Sequence, residues 1–272
     1  MKCSASILVL SALVCGLSAP LNAQMIRVTL KNHSSVTPTG LHAGPVWLGF
    51  HDGGFDMFDS GATASSAIEA LGELGDSSLI NMAFMSSQPA GLSLVLNNPG
   101  GPGPGLFTPG ASNSIDVDLN GMDHRYLSFG TMIVPSNDTF IANENPMALP
   151  LFDDSGNFLG PQTWTLLGTH AWDAGSEMNV PLDGAAFVAN VNAMMGTSEG
   201  GMIHLQPADA LNNVIGVMTP AGTTIGRALS NDPLFSISIT PVPEPETYGM
   251  IAAIGLLGAA MWRRRQKKIL EA

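Results

Sequence analysis

Short runs in which apolar and polar residues alternate with a period of two constrain this chain more than any other feature. Ile26-Arg27-Val28-Thr29-Leu30, Ser114 to Leu119 and Leu234 to Thr240 each place one set of side chains on either face of an extended backbone, as half-buried strands do. Pro45 to Phe50, Leu92 to Leu96, Tyr126 to Val134 and Phe187 to Val191 are more evenly apolar, the pattern of strands buried on both faces. Between the runs lie clusters of Gly, Pro, Ser, Thr and Asn, residues that supply turn conformations or compete with regular pairing. The pattern predicts an all-β body folded as a β-sandwich. One segment departs from it. Ala64 to Leu74 spaces Ile68, Leu71 and Leu74 on one helical face, with Thr63 or Ser65 as cap and Gly75-Asp76 as stop, so one short helix is expected. Asn98 to Gly110 holds too much Gly and Pro for a helix or a central strand and reads as a surface loop.

The two ends have a different character. Lys2, an apolar run from Ile7 to Leu17 and a small-residue exit at Leu21-Asn22-Ala23 form the layout of a secretory signal peptide over residues 1–23. Both cysteines, Cys3 and Cys15, fall inside it, so the body is expected to hold together without disulfides. At the other end, Pro241-Val242-Pro243-Glu244-Pro245 is a stiff extended spacer that closes the last strand. It leads into Tyr248 to Trp262, which carries no charge, and then into Arg263-Arg264-Arg265. At helical rise this apolar run covers about 22 Å, short of the roughly 30 Å hydrocarbon core of a bilayer. The basic cluster would stay inside and the body outside. The division is thus a signal peptide (1–23), a β-sandwich domain (24–241) and a C-terminal segment made of a Pro-rich spacer, a transmembrane helix and a basic tail (242–272). Such a chain is secreted or at the cell surface, with transient anchoring in the inner membrane.

Charge narrows the partners. The whole chain carries −12, but six of its 10 basic residues sit at the ends. Between residues 24 and 241 only Arg27, Lys31, Arg125 and Arg227 stand against 19 acidic residues, about −15. Such a surface repels nucleic acid and attracts divalent cations.

Two acidic loops are the candidate sites. One is Val134-Pro135-Ser136-Asn137-Asp138, after a buried strand; the other is Asp173-Ala174-Gly175-Ser176-Glu177, where the turn brings two carboxylates back toward one point. Ca²⁺ favours such mixtures of carboxylate and carbonyl oxygen in a flexible loop. By spacing alone, Asp138 as a turn cap and Asp173 and Glu177 as solvated loop charges are the simpler reading. No catalytic residue stands out. The six histidines show no metal-ligand spacing, and His51-Asp52 or Asp123-His124 are ordinary loop neighbours. Trp47, Trp164 and Trp172 are candidates for stacking on neutral polysaccharide.

Two resemblances sharpen these readings. Val242-Pro243-Glu244-Pro245, the Gly/Ala-rich apolar run and the Arg cluster together resemble the PEP-CTERM sorting signal. That resemblance implies export by a bacterium that makes exopolysaccharide and processing by an exosortase near Pro243-Glu244-Pro245. In the body, Arg27 to Asn32, Phe58-Asp59-Ser60-Gly61, Ser128-Phe129 through Ile141, and Trp172 to Glu177 are similar to the spondin N-terminal domain. The resemblance implies a C2-like antiparallel β-sandwich, a Ca²⁺ site made by Asp138, Asp173 and Glu177, and a role in extracellular matrix or adhesion. Thr139 stands where the family has an aromatic residue, and Glu177 where it often has Asp. The expectation is a non-enzymatic, Ca²⁺-stabilised surface or matrix protein whose partners are an exosortase and extracellular polysaccharide. The rival is a secreted hydrolase acting on exopolysaccharide, which needs two carboxylates facing each other across a cleft.

Overall fold

The computed structural model describes residues 23–243 except 36, 38, 208, 229 and 230, and also 253, 255–260, 262 and 263. The signal-peptide reading of residues 1–23 lies outside them apart from Ala23, as do Glu244, Pro245 and much of the apolar segment. Among the described residues no helix is long and apolar enough to cross a membrane.

The strands in chain order are β1 (Ala23–Asn32), β2 (His42–Ala43), β3 (Val46–His51), β4 (Leu92–Leu96), β5 (Ser112–Asn120), β6 (Tyr126–Val134), β7 (Thr139–Ala142), β8 (Gln162–Leu167), β9 (Ala171–Asp173), β10 (His204–Leu205) and β11 (Pro233–Pro241). Two helices, α1 (Ser66–Leu74) and α2 (Ser78–Ser87), lie between β3 and β4. The strands form two antiparallel sheets. The smaller runs β5-β1-β11-β8; the larger runs β10-β9-β7-β6-β3-β4, with β2 added beside β6.

Period-two alternation explains which face each strand buries. In β1, Ile26, Val28 and Leu30 are fully buried while Arg27 faces solvent, and β11 answers with Phe235, Ile237 and Ile239. These pack with Leu48 and Phe50 of β3 and Leu127, Phe129 and Ile133 of β6 in one core between the sheets. The opposite face of the larger sheet is buried too. Trp47, Phe140 and Trp172 form a second core with Ile68 and Leu71 of α1 and Ile80 and Phe84 of α2. Strands β3 and β6 are therefore covered on both sides, which is why they read as nearly continuous apolar runs.

The helix α1 meets its sequence expectation closely. Ser65 caps it, accepting from the Ile68 backbone N–H at 3.4 Å, and Gly75 ends it with φ 66°. The expectation of one helix is corrected by α2, whose apolar residues run all round it. Only Ile80 and Phe84, four apart, are buried, while Met82 is 58% exposed. That spread erased the one-sided pattern by which an amphipathic helix is recognised. Phe187 to Val191 is not a strand: Phe187 and Asn190 have φ of 60° and 64°, left-handed backbone that breaks extension. The loop reading of Asn98 to Gly110 agrees with its turns and with positive φ at Gly103, Gly105 and Gly110.

Gly72 fixes the seat of α1. A Cβ there would stand 2.7 Å from the Asp138 carbonyl oxygen, so only glycine lets the helix lie this close to the β6–β7 corner. Gly72→Ala is expected to destabilise the body by about 1–3 kcal/mol through overpacking, against the roughly 1 kcal/mol that alanine gains in a helix. Urea denaturation of the variant checks this; an unchanged midpoint would mean that the helix shifts freely.

Candidate functional site

The corner between β6 and β7 carries Asn137 and Asp138 into the interior. Ser136 holds the turn: its hydroxyl donates to the Ile133 carbonyl and accepts from the Thr139 N–H at 3.2 Å. Asp138 is 0% exposed. Its Oδ2 accepts from the backbone N–H of Ser176 (2.8 Å) and of Glu177 (3.1 Å) and from the Ser176 hydroxyl (3.2 Å). One carboxylate oxygen thus pins the loop that follows β9 to the end of the larger sheet.

Asp173 lies across the ladder from Thr139 and is 1% exposed. Its Oδ1 accepts from Gly175 N–H at 2.7 Å, closing a tight turn in which Gly175 has φ 66°. Its Oδ2 accepts from the Asn179 amide (2.7 Å) and from the Gln206 amide (2.8 Å), which also reaches the Thr139 hydroxyl. Glu177 is buried as well. Its carboxylate packs against the backbone of Gly184 and Gly196 and receives a long contact from the Asn137 amide at 3.5 Å. The structure therefore brings Asp138, Asp173 and Glu177 into one buried neighbourhood, and none of them is a solvated loop charge.

The hub has no basic partner among the described ion pairs. Arg27, Arg125 and Arg227 pair with Asp116, Asp154 and Asp232 elsewhere. Burial, with the Asp173 charge adding to it, pushes the Asp138 carboxyl up to about 6. Burial, with Glu73 next in importance, pushes Glu177 up to about 7. Two oxygens in this neighbourhood, Asp138 Oδ1 and Asn179 Oδ1, are buried without any hydrogen-bond partner. The remaining carboxylate positions of Asp138 and Asp173 point at N–H or O–H donors, and among the described residues no group of three or more His, Cys, Asp or Glu side chains could hold a metal ion.

Asn137, Asn179, Asp183 and Gln206 complete the network and were not singled out by spacing. Asn137 and Asn179 adjoin the named carboxylates in sequence, whereas Gln206 follows β10, 33 residues after Asp173, with nothing local to mark it. The tryptophan reading is corrected: Trp47 is 0% and Trp172 7% exposed, both within the second core, and Trp164 on β8 is partly buried against the first core. The run Gly196-Thr197-Ser198-Glu199-Gly200 has Gly-x-Ser-x-Gly spacing. It lies in a loop bridged to Glu177 through Ser198, without the strand–turn–helix that makes a nucleophile elbow.

The sorting segment begins where the smaller sheet stops. Pro241 is the last residue of β11, Val242 N–H still donates to the Met25 carbonyl at 2.9 Å, and Pro243 is exposed. Residues 241–265 match the PEP-CTERM protein-sorting motif. This signal marks an exported, secreted or cell-surface protein that an exosortase sorts. No curated protein matches the chain.

Protonation of the hub sets a pH dependence. Asp138 and Glu177 bind their protons more tightly in the folded protein than in the unfolded chain, so their contribution favours folding at low pH. It is lost as pH rises from the ordinary carboxylate values through about 6 and 7. His42 and His51, lowered by burial to about 4, act in the opposite sense between 6.5 and 4. Above pH 6.5 Glu177 dominates. In divalent-free buffer the melting temperature of Glu177→Gln, minus that of the wild type, should grow between pH 5.5 and pH 8; a flat difference would remove Glu177 from the account.

Proposed function

We propose that the body is a Ca²⁺-stabilised binding module of the cell surface or extracellular matrix, delivered there by its sorting tail. The observation that carries the reading is the pair of buried oxygens without partners, Asp138 Oδ1 and Asn179 Oδ1, beside three buried carboxylates that no arginine or lysine neutralises. An unsatisfied buried acceptor costs about 1–3 kcal/mol, and a hard cation with oxygen ligands answers both that deficit and the charge. Asp138 Oδ1 and the Asn179 side-chain oxygen would face the ion, with Asp173 and Glu177 supplying the surrounding charge; the three carboxylates would have to close together to ligate it, since they do not form a ligand group as they stand. The ion would neutralise the hub and tie the β6–β7 corner to the loop after β9. The spondin-like character of residues 25–240, including a C2-like topology, belongs to this proposal; the antiparallel sheets and the joining of the two quoted acidic loops support it.

A binding role is favoured over hydrolysis of exopolysaccharide. With Asp138 and Asp173 sealed from solvent, a sugar chain has no room between them, whereas glycoside hydrolysis needs carboxylates roughly 5–10 Å apart across an open cleft. Neutral extracellular polysaccharide or another matrix component is the proposed ligand class.

Two measurements test the reading. Ca²⁺ at about a hundredfold over its Kd adds roughly 2.7 kcal/mol, so the melting temperature at pH 7.5 should rise by about 5 °C or more over protein in EDTA. Asp173→Asn should abolish that response, and equal melting with and without chelator would remove the metal. Mass spectrometry of protein recovered from culture medium should find a C-terminus close to Pro245; an intact C-terminal Ala272 would oppose processing.

A further inference from the structure

The strands that carry both chain ends leave the body at one pole, and the acidic hub lies at the other. In the smaller sheet, Ala23 faces Asn120 and Ile26 faces Pro241, so the start of β1 and the ends of β5 and β11 lie together. From Asn120 a short turn leads to Tyr126, where β6 begins. The same level is marked by Gln162, whose amide donates to the Pro150 carbonyl, and by Pro150, which bridges Tyr126. From there β6 runs away from the chain ends to Val134. Its far end adjoins His42, and Ala43 bridges Phe107, whose carbonyl accepts from Asn32 at the opposite end of β1. Beside this far end Thr139 pairs with Asp173, and Asp173 with His204, so Asp138 and Asp173 lie level with the end of β6. The nine residues of β6 place the poles about 26 Å apart.

We propose that, while the tail is in the membrane, the body stands with the Ala23–Asn120–Val242 pole against the lipid headgroups and the hub pole turned away. The proposal rests on the reading of residues 242–272 as a membrane-inserted signal. Among the described residues, the last contact of the body with this segment is Val242 N–H on Met25, and the apolar run begins at Tyr248. Six residues span at most about 20 Å even fully extended. Inverting the body would lift the tether point by the length of β6, about 26 Å, which is more than the linker reaches. A leader attached at Ala23 would hold the same pole. The lipid therefore meets the tether pole, and a ligand arriving from outside meets the hub pole.

The test uses the full chain with Cys3→Ser and Cys15→Ser, which leaves no other thiol. Single cysteines replace exposed methionines, Met122 (55% exposed) beside Asn120 and Met194 (77% exposed) in the loop region after Glu177. Each is labelled with a fluorophore, and the chain is mixed with phosphatidylcholine vesicles bearing nitroxide headgroups. Flotation with the vesicles reports membrane association, and quenching reports orientation. The expected result is flotation of both variants and several-fold stronger quenching at position 122 than at 194. A second pair, Met147→Cys and Met202→Cys, should repeat the difference. Flotation with equal quenching, or stronger quenching at the hub pole, would overturn the orientation alone. Failure to float would overturn the membrane reading of the tail and the orientation with it.

Discussion

Strands β3 and β6 are buried on both faces, and the rest of the architecture follows from that demand. One face is met by the smaller sheet through Ile26, Val28, Phe235 and Ile237. The other is met by α1 and α2 through Ile68, Leu71, Ile80 and Phe84. A sheet sealed in this way leaves no exit for polar groups where a strand ends and the chain must turn. The β6–β7 corner is such a place, and with Gly72 of α1 pressed onto it, Asp138 turns inward rather than out. The acidic hub is thus a by-product of the same close packing that stabilises the body.

Burying three carboxylates without a basic partner is unfavourable unless something compensates. Here backbone N–H groups and side-chain amides do part of that, since each donor aimed at a carboxylate oxygen offsets lost hydration. The compensation is incomplete, as the raised proton affinity of Asp138 and Glu177 and the two unpartnered oxygens record. Exposed pairs such as Arg27 with Asp116 contribute little by comparison, being screened by solvent. The electrostatic cost is concentrated in these few buried groups, while most of the acidic charge stays on the solvated surface.

Much of the β framework was legible because period-two patterning is a direct imprint of two-sided burial. Ile26 to Leu30 and Leu234 to Thr240 show it plainly, and both are strands of the smaller sheet, which has one covered face. Strands β7, β9 and β10 are too short to show any period, being held by their neighbours in the ladder. Helix α2 was hidden by methionines on its exposed side. At the hub, Asp138, Asp173 and Glu177 were visible as clustered acids, but their burial was not. Burial depends on Gly72 and on Gln206, both distant in sequence and marked by no local signal.

The arrangement of the chain ends also decides how the body bears load. A pull on the tail, resisted by a ligand held at the hub pole, runs along β11 parallel to its neighbours β1 and β8. It loads the rungs from Ile26–Pro241 to Asn32–Phe235 in shear, all at once, rather than peeling them one by one. A pull between Ala23 and Val242 would instead unzip the same ladder from its end. In the proposed orientation, tethering at one pole and binding at the other would load an ordinary antiparallel sheet in its mechanically resistant direction.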